Sequence, residues 1–240
     1  MRKLLVIVTI FLFTQQFLSA KSIFNEFKTE ILEINGRQAT IKNSDNIVVG
    51  SSGIVTHTFK NGVTSIVARA DVIKKDGNNA TVKFKVFKLS KQDAFPKPGL
   101  LPVVGDKITL NYLYDRALIV APNYKIYKEV TKHFNEIEWI HPDIVAAYLA
   151  KTFRPNPDRE VFQRVCHVNS TALIFFALND NGYFVDCSNF KTVKTVKTGR
   201  IKKAQVPFYT RVDGIETSWL KWSSSYISDY NSHYRSVIGK

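Results

Sequence analysis

The sequence predicts an α+β fold rich in β-structure: a small β-barrel or sandwich in the N-terminal half, then an α+β half with helices and a buried hairpin. Three observations predict it. Short alternating segments punctuated by Asn-Gly turns run from Phe27 to Ala121; apolar spacing becomes helical after Pro122; and Ala172–Leu178 is apolar without a polar break. The implied organisation is a leader at 1–20, a β-rich barrel-like domain at 21–121 and an α+β domain at 122–240.

The leader comes first. Arg2 and Lys3 precede an apolar run, Leu4–Phe13, broken only by Thr9, and Leu18-Ser19-Ala20 supplies a small-residue cleavage site. The run is about half of the roughly 20 residues that span a bilayer. Cleavage and export are therefore expected, to the periplasm or onward to the cell surface, with an uncleaved N-terminal anchor as the alternative. No cysteine follows the run, which excludes a lipid anchor at that point.

In the β-rich half, Ile31–Ile34 and Gln38–Lys42 flank Asn35-Gly36, the dipeptide suited to a two-residue hairpin. Asn61-Gly62 joins Gly53–Phe59 to Thr64–Ile73, and Asp76-Gly77-Asn78-Asn79 leads into Thr81–Phe87. There Val82, Phe84 and Val86 alternate with Lys83 and Lys85, one face dry and one wet. Pro96–Gly99 breaks the pattern. Val103–Asp106 then turns into Ile108–Tyr114, and Arg116–Ala121 adds an apolar strand, making seven or so in all.

The second half opens with a helix over Tyr124–Phe134, its apolar face read as Tyr124, Tyr127, Val130 and Phe134. His141-Pro142-Asp143 starts a second helix that Pro155 ends, and Asn156-Pro157 starts a third reaching about His167. Thr171–Leu178 and Tyr183–Cys187 form the apolar hairpin about Asn179-Asp180-Asn181-Gly182. Trp219, Trp222, Tyr226, Tyr230 and Tyr234 then recur three or four apart. They read as the core side of a terminal helix or as a docking surface, and Ser223-Ser224-Ser225 weakens that helix.

Charge narrows the partner. Without Arg2 and Lys3, 32 basic residues face 20 acidic ones, a net charge of +12. Export removes nucleic acid from consideration and leaves anionic envelope surfaces or acidic proteins. Lysine outnumbers arginine by more than two to one, which implies diffuse charge rather than a built phosphate site. The densest run is Lys191, Lys194, Lys197, Arg200, Lys202 and Lys203. It reads as a lysine-protected edge strand or as a partner-binding face.

No nucleotide, zinc-protease or serine-hydrolase motif occurs, and the five histidines are scattered. Cys166 and Cys187 are the only cysteines. In an oxidising compartment they are expected as a disulfide, with two buried thiols as the alternative. Cys166-His167 does not make a nucleophile and base, because helical neighbours point about 100° apart. The expected protein is non-catalytic and takes no metal or cofactor.

Val104–Ile108, Leu113–Asn123, Trp139–Asp143 and Tyr183–Phe190 resemble the N-terminal domain of the plasminogen-binding surface protein family of Gram-negative bacteria. That resemblance covers nearly the whole mature chain and implies a protein partner, plasminogen. In the family, capture is credited to C-terminal lysines beyond a long low-complexity tail. Here Lys240 follows Gly239 directly, presenting an ammonium and an α-carboxylate to a lysine-binding pocket. The second reading is a structural part of a periplasmic assembly, such as the scaffold around the flagellar motor, with assembly subunits as partners.

Overall fold

The computed structural model describes residues 23–85, 100–213, 215 and 227–240. The leader, the break at Pro96–Gly99 and the aromatics Trp219, Trp222 and Tyr226 lie outside them.

Six strands close into an antiparallel barrel: β1 (Phe27–Asn35), β2 (Gln38–Lys42), β3 (Ser52–Thr58), β4 (Thr64–Asp76), β5 (Asn79–Lys85) and β6 (Lys107–Leu110). Their order is β1-β2-β5-β4-β3-β6, with β6 pairing back to β1. The choice between barrel and sandwich thus resolves to a barrel. Its inside holds Ile31, Ile41, Val55, Val72, Val82, Ile108 and Leu110, none more than 1% exposed. Alternation puts those residues on one face of each strand while lysines such as Lys83 and Lys85 stay wet. The first turn is shifted by one residue: Asn35 pairs with Gln38, so the loop is Gly36-Arg37, with a positive φ at Gly36 only. Closure depends on Gly53, where a Cβ would collide with the carbonyl of Thr109 on β6.

The seventh expected strand belongs elsewhere. β7 (Arg116–Val120) lies in a five-stranded sheet of order β11-β10-β9-β7-β8, with β8 (Glu138–Ile140), β9 (Leu173–Ala177), β10 (Asn181–Asp186) and β11 (Thr192–Lys197). The reason is burial. Ala117, Leu118, Ile119 and Val120 are all at most 1% exposed, so the strand is dry on both faces, as strands in helix-covered parallel sheets are. β7 runs parallel to β8 and β9, whereas β10 and β11 are antiparallel additions. β8 has only three residues, too short to register as a periodic pattern.

The helices are α1 (Tyr124–His133), α2 (Pro142–Thr152), α3 (Arg159–Val168) and α4 (Tyr230–Ile238). Alternate residues of β7 send Ala117 and Ile119 to α1 and Leu118 and Val120 to α2, α3 and α4, giving three layers. α3 is capped by Asp158, whose carboxylate accepts from the Val161 amide at 2.9 Å; the expected cap at Asn156 is two residues early. Likewise α1 turns Ile126, Tyr127, Val130 and Phe134 toward the core on its side of the sheet, while Tyr124 is exposed and meets Tyr127 and Tyr209 in an outer cluster that includes His141.

Cys166, near the end of α3, is bonded to Cys187, just beyond β10, across 21 residues of sequence. Closing a loop of that length restrains the unfolded chain by about 3 kcal/mol. Cys166→Ser combined with Cys187→Ser is expected to lower unfolding stability by that amount, read by denaturant titration against the oxidised parent.

Candidate functional site

The basic run lies on β11 and the segment after it, along an open edge of the sheet. A Thr-Val-Lys unit repeats every three residues, out of phase with a strand's period of two. A bulge resolves the mismatch. Lys194 pairs with Phe184 and Thr192 with Val185, which leaves Val193 as an extra residue. Val193 and Val196 both pack toward the α1 layer, and Lys194 and Lys197 both remain exposed.

These lysines rim a groove of about 1150 Å³ between α1, β11 and residues 198–203. Its floor is apolar, made by Ile126, Val130, Phe134, Phe175, Ala177 and Val196. Among the described residues its rim carries Lys125, Lys194, Lys197, Arg200, Lys202 and Lys203 against a single carboxylate, Glu129. Glu129 sits 3.9 Å from Lys125, an exposed pair that is worth little in water. Among the described residues, Lys194, Lys197, Arg200, Lys202 and Lys203 make no ion pair. The positive end of α1 opens on the same rim, capped by Asn123 and free of acidic residues in its first turn.

The other expected site residues that the structure describes, Lys191, Tyr230 and Lys240, are dispersed. Lys191 lies at the junction between barrel and sheet, where it contacts Gly50, not at the groove. Tyr230 is core: it is 2% exposed and its hydroxyl lies 3.1 Å from the Val120 carbonyl and 3.0 Å from that of Ala177, at the ends of β7 and β9. Lys240 is exposed, but Gly239 is no free hinge. It caps α4 in the left-handed conformation, and the Lys240 amide donates to Arg235 O at 2.8 Å.

Two polar centres carry no obvious sequence signature. Asp186, fully buried, joins the two sheets. Its Oδ2 accepts from Ser52 Oγ of β3 and from Tyr114 Oη at 2.8 Å, and its Oδ1 accepts from the Ser188 and Asn189 amides at 2.8 and 3.0 Å. Burial pushes its carboxyl above the ordinary range, against the pull of those hydrogen bonds. The only hint is an Asp-x-Ser at the end of an apolar strand, the pattern of a side chain folding back on following amides.

Asp143, at the start of α2, is the second. Its Oδ1 accepts from Thr210 Oγ1 at 2.8 Å and the Arg211 amide at 2.9 Å, and its Oδ2 from Arg211 Nε at 2.7 Å. Burial raises this carboxyl, but the bonds from Arg211 and Thr210 win and hold it below the ordinary range. Its stabilisation is therefore complete above the usual carboxylate pKa of about 4 and is lost as pH falls through the depressed value. Asp143→Asn is expected to flatten the acid limb of the stability–pH curve below the usual carboxylate pKa of about 4.

Residues 26–238 match the family model described as plasminogen-binding protein pgbA N-terminal. The chain belongs to that family. Two relatives are the plasminogen-binding proteins PgbA of Helicobacter pylori strains J99 and 26695, each 24% identical over 199 residues. The alignment covers 81% of this chain and 43% of each relative, so the chain spans less than half the length of the proteins it matches. Within this PgbA N-terminal fold, the stretches that carried the resemblance lie on β6, β7, β8 and β10 and the turns beside them. They include Tyr114, Asp143 and Asp186. Among the described residues no helix is long and apolar enough to cross a membrane, and no three His, Cys, Asp or Glu side chains cluster as metal ligands.

Proposed function

We propose that the chain is a non-catalytic, exported cell-envelope module that binds a protein partner through exposed lysines on a rigid frame, with plasminogen as that partner. The observation that carries this reading is the set of five basic side chains from Lys194 to Lys203, unpaired among the described residues and lined along one sheet edge. Cations held apart from carboxylates keep their full attraction for an acidic surface, and a patch of one sign accelerates encounter. The naming of the PgbA relatives supports plasminogen as that partner.

Lys240 is a second contact in this reading, its side-chain ammonium presented at the capped end of α4. Deleting Lys240 from the exported chain, with and without free lysine as competitor, tests its share. Loss of plasminogen capture on deletion, and displacement by lysine, are expected if the tip is used. Unchanged capture in both arms removes the tip from the mechanism and leaves the basic edge.

The alternative, a structural subunit of a periplasmic assembly such as the flagellar-motor scaffold, is favoured by the junction at Asp186, which fixes barrel and sheet in one orientation. It predicts co-purification with an envelope complex and a motility defect in a null mutant. A null mutant that assembles and swims normally contradicts it.

A further inference from the structure

We propose that the groove between α1 and β11 is a ligand site for an acyl-chain anion, a long-chain carboxylate whose tail lies on the apolar floor and whose head meets the lysine rim. This goes beyond the protein-contact reading and does not depend on it.

The groove arises from unequal layers. Neighbouring strands lie about 4.8 Å apart, so a five-stranded sheet is roughly 19 Å wide between its outer strands, and one helix is about 10 Å across. Three helices, α2, α3 and α4, pack on one face of the sheet, whereas α1 is the only described helix on the other. Phe24, Tyr114 and Trp139 help cover that second face, but no described residue fills the end under β11 and residues 198–203. As a result Ile126, Val130 and Phe134, one above another at four-residue spacing on α1, form a wall of the groove; Ile126 and Phe134 stay partly exposed, as does Val196 opposite.

The position is where open parallel α/β sheets bind ligands. From β7 the chain crosses to β8 on one side, and then returns past β7 to β9 on the other, with the crossover helices on opposite faces. The order therefore reverses at the carboxyl ends of β7 and β9, and the crevice outside such a reversal is the usual site. Asn123 and Tyr124, just past β7, and Ala177 and Leu178, ending β9, line the groove. At about 1150 Å³ it lies just above the range of roughly 300–1,000 Å³ for small-molecule sites.

The chemistry selects the ligand. An uncharged lipid would leave the rim cations without a counter-ion, and a small hydrophilic anion would leave the floor wet. A long acyl chain with one anionic head satisfies both surfaces. Lysine predominates over arginine on the rim, which suits a single carboxylate more than bidentate phosphate capture.

The test is calorimetric titration of the leader-free chain with laurate below its micelle concentration, beside dodecanol, acetate and phosphatidylglycerol vesicles. Saturable one-to-one laurate binding is expected, at least tenfold tighter than dodecanol or acetate. Lys197→Glu with Lys202→Glu is expected to weaken laurate at least tenfold and leave dodecanol unchanged; Ile126→Gln is expected to weaken both. Circular dichroism confirms that each variant is folded. Laurate binding unaffected by the rim reversal, non-saturable binding, or association with vesicles alone overturns the proposal. Plasminogen capture, measured separately, is not a readout of this site.

Discussion

Asp186→Ala is expected to lower unfolding stability by about 3–5 kcal/mol, enough to threaten a domain whose whole margin is about 5–15 kcal/mol. The substitution removes the acceptor for four donors at once: the hydroxyls of Ser52 and Tyr114 and the amides of Ser188 and Asn189. Tyr114 is 1% exposed, and its oxygen also accepts from the Ser52 amide at 3.0 Å, so the hydroxyl has nowhere wet to turn. Asp186→Asn keeps the shape and separates charge from hydrogen bonding. Because burial raises the folded carboxyl above its unfolded value, the native state holds the proton more tightly. The stability from Asp186 is then fullest in acid and declines as pH rises through the raised value, the opposite sense to Asp143. The advantage of the parent over the Asp186→Asn variant is expected to shrink with rising pH, read by urea titration at several pH values.

Phe184→Ala is expected to cost about 3–5 kcal/mol, as for other buried aromatic truncations. Phe184 is wholly buried in β10 and meets Phe24, Phe134 and Phe175 at ring-centre distances of 5.2, 5.2 and 4.7 Å. Phe24 belongs to the segment entering the barrel, Phe134 caps α1 and Phe175 lies on β9, so one ring ties three parts of the molecule together. Phe184→Leu is expected to recover much of the loss, because the site keeps most of its apolar volume. Thermal unfolding of the three proteins checks the order.

Legibility in the sequence followed burial geometry. The barrel hairpins were readable because their strands are wet on one face, so Val82, Lys83, Phe84 and Lys85 announce the period directly. β9 was readable as dry on both faces from Ala172–Leu178. The same logic applied to Ala117–Val120 would have placed β7 in the covered sheet rather than the barrel. The Cys166–Cys187 pairing followed from count and compartment, and the structure contains that bond.

The site was legible only as a list. Lys194, Lys197, Arg200, Lys202 and Lys203 stood out as a charge run, but the groove they rim did not. Its floor is assembled from α1, β9 and β11, segments distant from one another in the chain, and no local period encodes that meeting. Tyr230 shows the converse ambiguity. Its spacing fitted a surface stripe as well as a core one, and only the carbonyls of Val120 and Ala177 beside its hydroxyl decide for the core.

Engagement of a protein partner by the basic edge of the sheet is what the proposed function requires. It is tested most directly by equilibrium binding of plasminogen to the leader-free chain and to the Lys194→Glu, Lys197→Glu, Lys202→Glu triple variant. These residues are exposed and pair with nothing described, so the variant is expected to fold normally while its affinity falls at least tenfold and its salt dependence flattens. An affinity unchanged by the triple reversal at low salt would contradict that engagement.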